Sequence, residues 1–288
     1  MEILFATCRE RPALTPSDAL LADALVAAGA RMQVAPWDSV TPASVSAGLV
    51  CLRSTWDYHL RARAFQDWIA QFHNLPGKLW NPPATVLWNT DKVYLKELAS
   101  RGIPIPATRW SEPGQAVDLP GLFGTTGWAR GVLKPRISAS AYGTCLVTPT
   151  TPLVRAVSAP LAAAGAMLQE FIPEVQTRGE VSLVFLDGAF SHAVRKRALT
   201  GEFRVQPHLG GDAVRLEPTP GLRAFGARVL AALPLEWLYA RVDVIEAARG
   251  PVLVELELIE PELFFTLAPE CVGRLAEALA ARAMPEAA

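Results

Sequence analysis

The sequence predicts a mixed α/β and α+β fold, with a small parallel sheet near the N-terminus and antiparallel hairpins further along the chain. Three short apolar segments, at 1–8, 32–35 and 49–53, have the character of buried strands, and an amphipathic helix over 17–29 follows the first. Because strands separated by a helix run parallel in one sheet, this order indicates a small α/β domain. Two later pairs of apolar runs, each joined by turn residues, indicate hairpins.

The composition limits the kinds of partner that this chain can have. It has 288 residues, of which 51% are hydrophobic, and its net charge of -1 gives none of the basic excess that nucleic acids and anionic membranes attract. Four scattered cysteines argue against a zinc site or a disulfide framework and fit a reducing, cytoplasmic location. The N-terminus lacks a signal-peptide pattern, and no uncharged apolar segment reaches membrane-spanning length. We therefore expect no nucleic-acid partner and no membrane partner.

Acidic residues alternate along the last predicted hairpin, 240–262. Every second side chain of a strand points to the same face, so Arg241 shares a face with Asp243, and Glu255 shares one with Glu257. A turn centred near Arg249 sets Asp243 opposite Glu255 and Arg241 opposite Glu257. The other face of the second strand is then apolar and consists of Val252, Val254, Leu256 and Leu258. This pairing predicts three carboxylates and one guanidinium on a single patch.

Three neighbouring carboxylates repel one another and raise one another's pKa unless a cation lies among them. Mg²⁺ removes this repulsion, and it takes carboxylate oxygens together with phosphate oxygens and water. The alternative is a solvated outer face on an edge hairpin, with Arg241 and Glu257 as an ordinary surface pair. The strongly apolar run VLVELEL argues against a peripheral position.

A polar loop, RSTWDYHLR, directly follows the third predicted strand. The carboxyl ends of parallel strands are where α/β domains bind ligands, so this loop is a candidate reader of a small polar substrate. Its candidate contacts are Arg53, Ser54, Thr55, Asp57 and His59. The alternative is that the aromatic residues of the loop only pack it against the helix predicted over 63–73.

The stretch over 81–89 is rich in proline and tryptophan and indicates a connection between domains. A helix that Asn89 or Thr90 caps and that Gly102 ends is predicted to follow it. Lys92 lies in the first turn of this helix, where the positive end of the helix dipole makes a cation unfavourable.

A second lysine, Lys134, ends the strand predicted over 131–135. The loop after it, RISASAYGT, is small and rich in hydroxyl groups, which lets backbone N–H groups approach phosphates closely. Its candidate contacts are Ser138, Ser140 and Gly143. Many hairpin tips share this composition, so the loop alone does not decide the matter.

Two basic stretches follow in the second half of the chain. Along the second strand of the hairpin that turns at Asp187 and Gly188, alternation puts Arg195 on one face and Lys196 on the other. The next loop, GEFRVQPHLGG, is polar, and it carries Arg204 and Gln206.

The order of these features resembles that of the ATP-grasp superfamily of ATP-dependent carboxylate–amine ligases. The motifs are a lysine that opens a helix before G-I-P-I-P, then V-L-K-P, Q-E-F-I-P, G-E, G-x-F-R-x-Q-x-x-x-G-G, R-V-D and E-x-E. The resemblance covers residues 87–262 and includes bacterial glutathione synthetases and D-alanine–D-alanine ligases. RSTWDYH, LWNP, WNTDKVYL and ELELIEPEL resemble more narrowly the subgroup with O-ureido-serine cyclo-ligase of cycloserine biosynthesis.

The resemblance implies an ATP-grasp fold in three parts. These are an N-terminal substrate domain over 1–86, a central subdomain over 87–168 and a C-terminal subdomain over 169–288, with ATP clamped between the last two. It also implies that two lysines hold the phosphates, that backbone groups of 170–172 contact adenine and that Glu180 binds the ribose. The nucleotide-binding residues are then Lys92, Lys134, Ser138, Ser140, Gly143, Glu170, Phe171, Ile172 and Glu180.

The same resemblance implies the reactive groups. The Mg²⁺ ligands are Asp243, Glu255 and Glu257, and Arg241 supports phosphoryl transfer. Lys196 contacts phosphate, although Arg195 can take that register. The substrate residues are Arg53, Thr55 and Asp57 of the first domain with Arg204 and Gln206 of the later loop.

Two departures from the family pattern concern the reaction. Many members have asparagine as the last metal ligand, and Glu257 stands there in this chain, which adds a negative charge. The substrate loop often has R-x-N, and here Gln206 takes the place of the asparagine, so its amide reaches further.

The implied reaction is ADP-forming: ATP phosphorylates a small amino-acid-like carboxylate, and a nitrogen nucleophile then displaces phosphate from the acylphosphate. Ring closure within one substrate stays open, and so does a homodimer. One alternative is a kinase that phosphorylates a hydroxyl. Another is a non-catalytic nucleotide-binding module, which the joint presence of phosphate lysines and metal carboxylates disfavours.

Overall fold

The computed structural model describes residues 1–45, 48–124, 126–199, 201–205 and 210–283. Within these ranges the chain forms three sheets, with helices packed on them. Each sheet comes from one continuous part of the chain, namely 2–80, 108–170 and 180–257. In the described residues no helix is both long enough and apolar enough to span a bilayer.

The first sheet is parallel, as predicted, and its inner strands are buried whereas the edge strand at 31–36 is largely exposed. Its elements are β1 (Glu2–Thr7), α1 (Pro16–Ala27), β2 (Arg31–Pro36), β3 (Gly48–Ser54), α2 (Ala62–Ala70) and β4 (Leu79–Trp80), in the strand order β2-β1-β3-β4. Ile3 and Phe5 pack towards α1, whereas Leu4 and Ala6 pack towards α2. Because helices cover both faces of the sheet at this strand, every residue of β3 is buried, which explains the apolar run at 49–52.

A helix, α3 (Pro83–Thr90), occupies the stretch that we predicted to be a connection between domains. Proline suits a first helical position, because its fixed φ and its missing N–H match what the first turn requires. Thr85 anchors this helix to the third part of the chain through a 2.6 Å hydrogen bond to the Glu236 carbonyl. The predicted boundary after residue 86 therefore falls inside a packed helix.

The next helix, α4 (Tyr94–Ser100), begins later than predicted, so neither Asn89 nor Thr90 caps it. The Asn89 side chain is buried, and its Nδ2 donates to the Leu256 carbonyl at 2.9 Å while its Oδ1 accepts from the Leu258 N–H at 2.8 Å. The helix ends as predicted, at Gly102 with its positive φ of 82°.

The second sheet is antiparallel, in the order β5-β8-β6-β7. Its elements are α5 (Leu119–Phe123) and α6 (Arg155–Ala164) with β5 (Thr108–Ser111), β6 (Gly131–Pro135), β7 (Cys145–Val147) and β8 (Ala166–Glu170). Leu133 and Leu168 face α5 and α6, whereas Val132 and Lys134 face the opposite side. The predicted boundary after residue 168 falls inside β8, at the pair of Leu168 with Leu133.

The third sheet is also antiparallel, in the order β11-β10-β9-β12-β13. Its elements are α7 (Glu174–Thr177), α8 (Pro220–Ala231), β9 (Glu180–Leu186), β10 (Ala189–Arg197), β11 (Asp212–Leu216), β12 (Tyr239–Ala247) and β13 (Gly250–Glu257). Asp187 and Gly188 connect β9 to β10 with φ values of 47° and 78°. Two positive φ values are typical of the tight turn that the dipeptide predicts.

The β12–β13 hairpin has the predicted register over its reactive residues. Arg241 pairs with Glu257, and Asp243 pairs with Glu255. All four side chains therefore lie on one face of two neighbouring strands.

A bulge beyond Asp243 makes the pairing in the rest of the hairpin differ from the predicted one. Val244 pairs with Leu253, which leaves Val254 as the extra residue of β13. Leu253 takes the core position, whereas Val252 and Val254 belong to the apolar cluster around Phe171. These two valines are thus not on the face that we predicted.

The last helix, α9 (Val272–Ala283), returns to the first sheet. Its Leu275 and Leu279 pack in the same core cluster as Ile3 and Phe5. The predicted C-terminal subdomain therefore contributes a helix to the N-terminal domain, and this contact ties the two ends of the chain together.

Candidate active site

A cavity of about 830 Å³ lies where the three sheets meet. The second sheet contributes its lysine strand and the loop that follows, and the third contributes the β9, β10, β12 and β13 faces. The predicted site residues that line it are Asp57, Lys92, Lys134, Ser138, Ser140, Gly143, Glu170, Phe171, Ile172, Glu180, Lys196, Arg204, Arg241, Glu255 and Glu257.

The three predicted metal ligands meet at the wall of this cavity. A carboxylate oxygen from each of Asp243, Glu255 and Glu257 lies within 4.8 Å of the other two. Glu255 and Glu257 face the cavity, and their side chains are 29% and 25% exposed. Asp243 is 1% exposed and lies behind them.

Asp243 is held by four donors. Ser182 Oγ donates to its carboxylate at 2.6 Å and Lys196 Nζ at 3.1 Å, while Arg241 donates through both Nε and Nη2 at 3.0 and 2.9 Å. Burial alone would raise the pKa of Asp243, but the cations of Arg241 and Lys196 hold it well below its usual range. Asp243 is therefore ionised, and its oxygens are largely engaged by protein groups.

The two carboxylates that face the cavity, Glu255 and Glu257, have pKa values shifted in opposite directions. Burial raises the pKa of Glu257 to about 8, and Glu255 and Asp243 add to the rise although Arg241 opposes it. Burial acts in the same direction on Glu255, but the ammonium groups of Lys92 and Lys134 bring its pKa below the usual value. Burial and the neighbouring carboxylates therefore make Glu257 easier to protonate than Glu255.

This donor set fits Mg²⁺. Carboxylate oxygens are the ligands that this hard cation prefers, and the raised pKa of Glu257 marks a position where added positive charge is favourable. Glu255 and Glu257 present oxygens to the cavity, and Asp243 adds a third beneath them.

Lys92 links the loop of the second sheet to the carboxylates of the third. Its Nζ donates to the Ser138 carbonyl at 2.6 Å and to Ser138 Oγ at 3.2 Å. The same atom lies 3.2 Å from Glu255 Oε1. The predicted phosphate lysine and the predicted metal ligand are thus direct neighbours.

Lys134 projects from β6 into the cavity and forms no ion pair with any residue that the structure describes. Burial lowers the pKa of Lys134, and the Lys92 ammonium adds to this while Glu255 opposes it. A half-buried cation without a partner among these residues is well suited to an anionic ligand.

Lys196, rather than Arg195, faces the cavity. Its Nζ lies 2.5 Å from Glu180 Oε1 and 3.1 Å from Asp243 Oδ2. Arg195 points to the other face, where its Nη2 lies 2.7 Å from Glu246 Oε2. Of the two, Lys196 is therefore on the cavity side, and its phosphate contact stays a prediction. Glu180 lines the cavity beside Lys196, and its ribose contact stays a prediction.

The loop after β6 approaches the cavity closely. Ser140 and Gly143 have positive φ values of 51° and 66°. A side chain on Gly143 would lie 2.8 Å from the Pro135 ring, so glycine is required for this path. Tyr142 of this loop contacts the ring of His59, with centroids 4.8 Å apart, and so joins the loop to the first domain.

An apolar cluster surrounds the segment predicted to contact adenine. Phe171 and Ile172 pack with Val175, Val205 and Ile245. The backbone N–H of Glu170 already donates to the Ala107 carbonyl at 2.8 Å, and the Ile172 carbonyl accepts from Val175 at 3.2 Å. Adenine contacts would therefore fall on the backbone groups between these two.

Arg53 does not line the cavity, contrary to its predicted substrate role. It is 2% exposed, its Nε lies 2.6 Å from Asp18 Oδ1, and its Nη2 donates to the Pro261 carbonyl at 2.7 Å. Thr55 is also fully buried and is absent from the cavity lining. Both residues lie one layer behind the surface, because β3 is covered on both faces.

Asp57 lines the cavity, but its carboxylate is already engaged. Trp37 Nε1 donates to Oδ1 at 2.8 Å, and Arg61 pairs with Oδ2. These contacts hold the loop in place, which agrees with the packing alternative for this loop. Arg204 lines the cavity and pairs with Glu202 at 2.7 Å, whereas Gln206 lies outside the described residues.

Glu260 is a cavity residue that we did not predict. It is 7% exposed and lies three residues beyond the end of β13. Strand alternation stops at Glu257, so sequence periodicity gives no orientation for a residue in the following turn. The clue in the sequence is the further acidic residue in the motif ELELIEPEL.

Comparison with known families decides what this site belongs to. A model of the RimK-like ATP-grasp domain matches residues 91–261, which is more than half of the chain. This chain belongs to the RimK-like ATP-grasp family. A second model, described as the N-terminal domain of D-cycloserine synthetase DcsG, matches residues 3–81.

Two ATP-grasp relatives show how far the similarity extends. The cycloserine biosynthesis protein DcsG of Streptomyces lavendulae is 30% identical over 285 residues, which cover 92% of this chain and 93% of that protein. A probable alpha-L-glutamate ligase of Trichodesmium erythraeum (strain IMS101) is 28% identical over 191 residues, or 65% of this chain and 62% of that protein.

Solved ATP-grasp structures share the fold. The crystal structure of D-cycloserine synthetase DcsG superposes with a TM-score of 0.82 at 26% identity, covering 99% of this chain and 100% of that one. A D-alanine–D-alanine ligase from Bacillus anthracis superposes with a TM-score of 0.70 at 12% identity, covering 98% and 96%, and so shows the fold alone. The predicted ATP-grasp fold is confirmed, and the chain is an ATP-dependent ligase that forms carbon–nitrogen bonds.

Proposed function

We propose that this protein uses ATP and Mg²⁺ to convert a small amino-acid-like carboxylate into an acylphosphate. A nitrogen nucleophile of the same substrate molecule then attacks the acylphosphate and closes a ring. The reaction is of the type that O-ureido-serine cyclo-ligase carries out. The observation that carries the proposal is the convergence of three lysines and three acidic residues on one cavity between the sheets.

The triphosphate lies along the lysine wall. Lys134, which has no ion-pair partner among the described residues, binds phosphate oxygens, and Lys92 does so beside Glu255. Backbone N–H groups of the Ser138–Gly143 loop add hydrogen bonds that need no charge. Adenine then occupies the apolar end around Phe171.

Mg²⁺ would be held by Glu255 and Glu257, with Asp243 beneath them, and would neutralise charge on the transferred phosphoryl group. Lys196 keeps Asp243 and Glu180 in place through its two ion pairs.

Arg241 is the cation nearest to the reacting carboxylate in this proposal. Arg241 lines the cavity, and the hydrogen bonds of its guanidinium group to Asp243 and Glu257 fix its position. A substrate carboxylate oxygen attacks the γ-phosphorus, and the bond to ADP breaks. Arg241 then stabilises the negative charge that develops on the acyl oxygen when nitrogen attacks and phosphate leaves with the carbon–oxygen bond pair.

Water must be kept from the acylphosphate, because hydrolysis would waste ATP. The contact between Tyr142 and His59 supports closure, since both residues line the cavity and the contact joins the phosphate loop to the first domain. Ring closure is supported by the DcsG-like model match over 3–81 and by the near full-length similarity to DcsG.

Hydroxylamine trapping tests this function. The purified protein is given ATP, Mg²⁺, hydroxylamine and a panel of acids that contains O-ureido-serine, serine and alanine. An acylphosphate that hydroxylamine intercepts gives a hydroxamate together with ADP, and any acylphosphate that closes into a ring gives ADP alone. ADP without hydroxamate, from a substrate with a hydroxyl group, would point to a kinase, and no ADP with any acid would contradict the ligase proposal.

A further inference from the structure

The chain crosses from the third sheet to the first directly after β13. Three backbone carbonyls anchor this crossing: Asn81 Nδ2 donates to Leu258 at 2.7 Å, the Tyr239 hydroxyl to Ile259 at 3.1 Å and Arg53 Nη2 to Pro261 at 2.7 Å. Glu260 lies between the second and third anchors, and its side chain lines the cavity. Its position is therefore fixed by buried hydrogen bonds on both sides.

Glu260 is a buried cavity carboxylate with no cation bound to it among the described residues. Glu10 and Glu262 also line the cavity without an ion pair in this part of the chain, but neither of them is buried. Only 7% of Glu260 is exposed, and it forms no ion pair with any described residue. Five cavity carboxylates do have such partners, namely Asp57 with Arg61, Glu170 with Arg249, Glu180 with Lys196, Glu255 with Lys92 and Glu257 with Arg241. A buried carboxylate without a partner is costly unless a ligand supplies the positive charge.

Glu260 also lies outside the predicted metal cluster. Within the described residues, the group of acidic oxygens close enough to share an ion is Asp243, Glu255 and Glu257. Glu260 is therefore a separate anionic position, at the end of the cavity that borders the first sheet. Burial raises the pKa of Glu260 to about 7, and the charge of Glu255 adds to the rise. The hydrogen bond from its own backbone N–H opposes the rise most, followed by the guanidinium groups of Arg241 and Arg53.

We propose that Glu260 binds the ammonium group of an amino-acid substrate. This inference rests on the proposed function and names the group by which the site distinguishes amino acids from other small acids. The ammonium and carboxylate of an α-amino acid are attached to one carbon, so an ammonium at Glu260 directs the carboxylate towards the nearby Arg241. Arg53 acts as a positioning residue, because it holds the Pro261 carbonyl beside Glu260.

The test compares acids that differ only in the ammonium group. The pairs are O-ureido-serine with 3-(ureidooxy)propanoate, serine with 3-hydroxypropanoate and alanine with propanoate. For the wild-type protein we expect kcat/KM, from ADP release with hydroxylamine present, to favour the amino acid by about 10- to 100-fold, the range of a charged hydrogen bond. Glu260→Gln should reduce this ratio to near one, with the KM for ATP and the Mg²⁺ dependence unchanged.

Two controls make the result specific. Glu277→Gln removes an exposed carboxylate of α9 and should keep the wild-type ratio. Glu260→Asp retains the charge at a shorter reach and should lie between wild type and Gln, which separates loss of charge from loss of shape. Binding of a fluorescent ATP analogue confirms that each variant is folded.

The outcomes separate this inference from the proposed function. A wild-type protein that accepts amino and desamino acids equally well would overturn the role of Glu260 and leave the ligase proposal standing. A Glu260→Gln variant that keeps the wild-type ratio would do the same. An equal fall in activity for both members of each pair, with a raised Mg²⁺ requirement, would make Glu260 a metal ligand instead. No ADP with any acid would overturn both proposals.

Discussion

Lys92 Nζ lies 3.2 Å from Glu255 Oε1, so a predicted phosphate-binding lysine is in direct contact with a predicted metal ligand. Lys92 comes from the turn between α3 and α4, and Glu255 comes from β13, so the contact joins two parts of the chain at the cavity wall. A lysine and a carboxylate at this distance can hold opposite sides of one Mg²⁺–triphosphate group.

Glu255→Gln should lower ADP formation at least about 100-fold while leaving the fold intact, because the amide has lost the charge that binds the metal. The measurement is coupled ADP release over a range of Mg²⁺ concentrations, with circular dichroism as the check on folding. Glu246→Gln, on the opposite face of β12 where Glu246 pairs with Arg195, is the matched control and should stay active. A fully active Glu255→Gln variant would remove the metal assignment.

Lys134→Ala should weaken ATP binding by about 1.5–3 kcal/mol, the range for a hydrogen bond to a charged group. The physical reason is that Lys134 faces the cavity without an ion-pair partner among the described residues, so its charge is available to the phosphates. Calorimetric titration with ATP and Mg²⁺ measures the change. Lys96→Ala, at an exposed position of α4, should leave the affinity unchanged, and equal affinities for both variants would argue against a phosphate role.

Arg53→Ala should destabilise the fold by about 3–5 kcal/mol, because it leaves the buried Asp18 carboxylate without its partner. Urea denaturation measures the free energy of unfolding. Arg63→Ala removes an exposed pair with Asp67 and should cost less than about 1 kcal/mol. If Arg53→Ala changed the KM for substrate and left stability unchanged, the structural role that its burial indicates would be contradicted.

His192 should make stability depend on pH below 6.5. Its Nε2 faces the Leu263 carbonyl at 2.7 Å, and burial lowers its pKa from 6.5. As pH falls through 6.5, the unfolded chain takes up a proton that the folded protein still refuses, so the free energy of unfolding decreases until the folded pKa is reached. His192→Gln should flatten this part of the profile, measured by urea denaturation at several pH values. His73→Gln, at an exposed histidine, should leave the slope as it is.

Local alternation was enough to predict the reactive hairpin. The pairs of Arg241 with Glu257 and of Asp243 with Glu255 depend on the two-residue period of a strand and on the turn at Arg249. The same period separated Lys196 from Arg195, although only the structure shows which of the two faces the cavity.

Features that depend on distant partners could not be predicted. Arg53 looked like a substrate contact because it follows a strand, but Asp18 and Pro261, far away in the sequence, bury it. The bulge at Val254 places two valines in another apolar cluster, and no turn-forming residue at that point of the strand predicts it. Glu260 is placed by anchors on three other elements, which periodicity does not reveal.

Transfer of labelled oxygen tests the central claim most directly. The substrate acid that gives ADP is prepared with ¹⁸O in its carboxylate and turned over with ATP and Mg²⁺, and the released phosphate is analysed by mass spectrometry. Because the carboxylate attacks the γ-phosphorus and the acyl carbon–oxygen bond later breaks, we predict one ¹⁸O atom in each released phosphate. Phosphate without label, released while the carbon–nitrogen bond forms, would contradict the acylphosphate mechanism at this site.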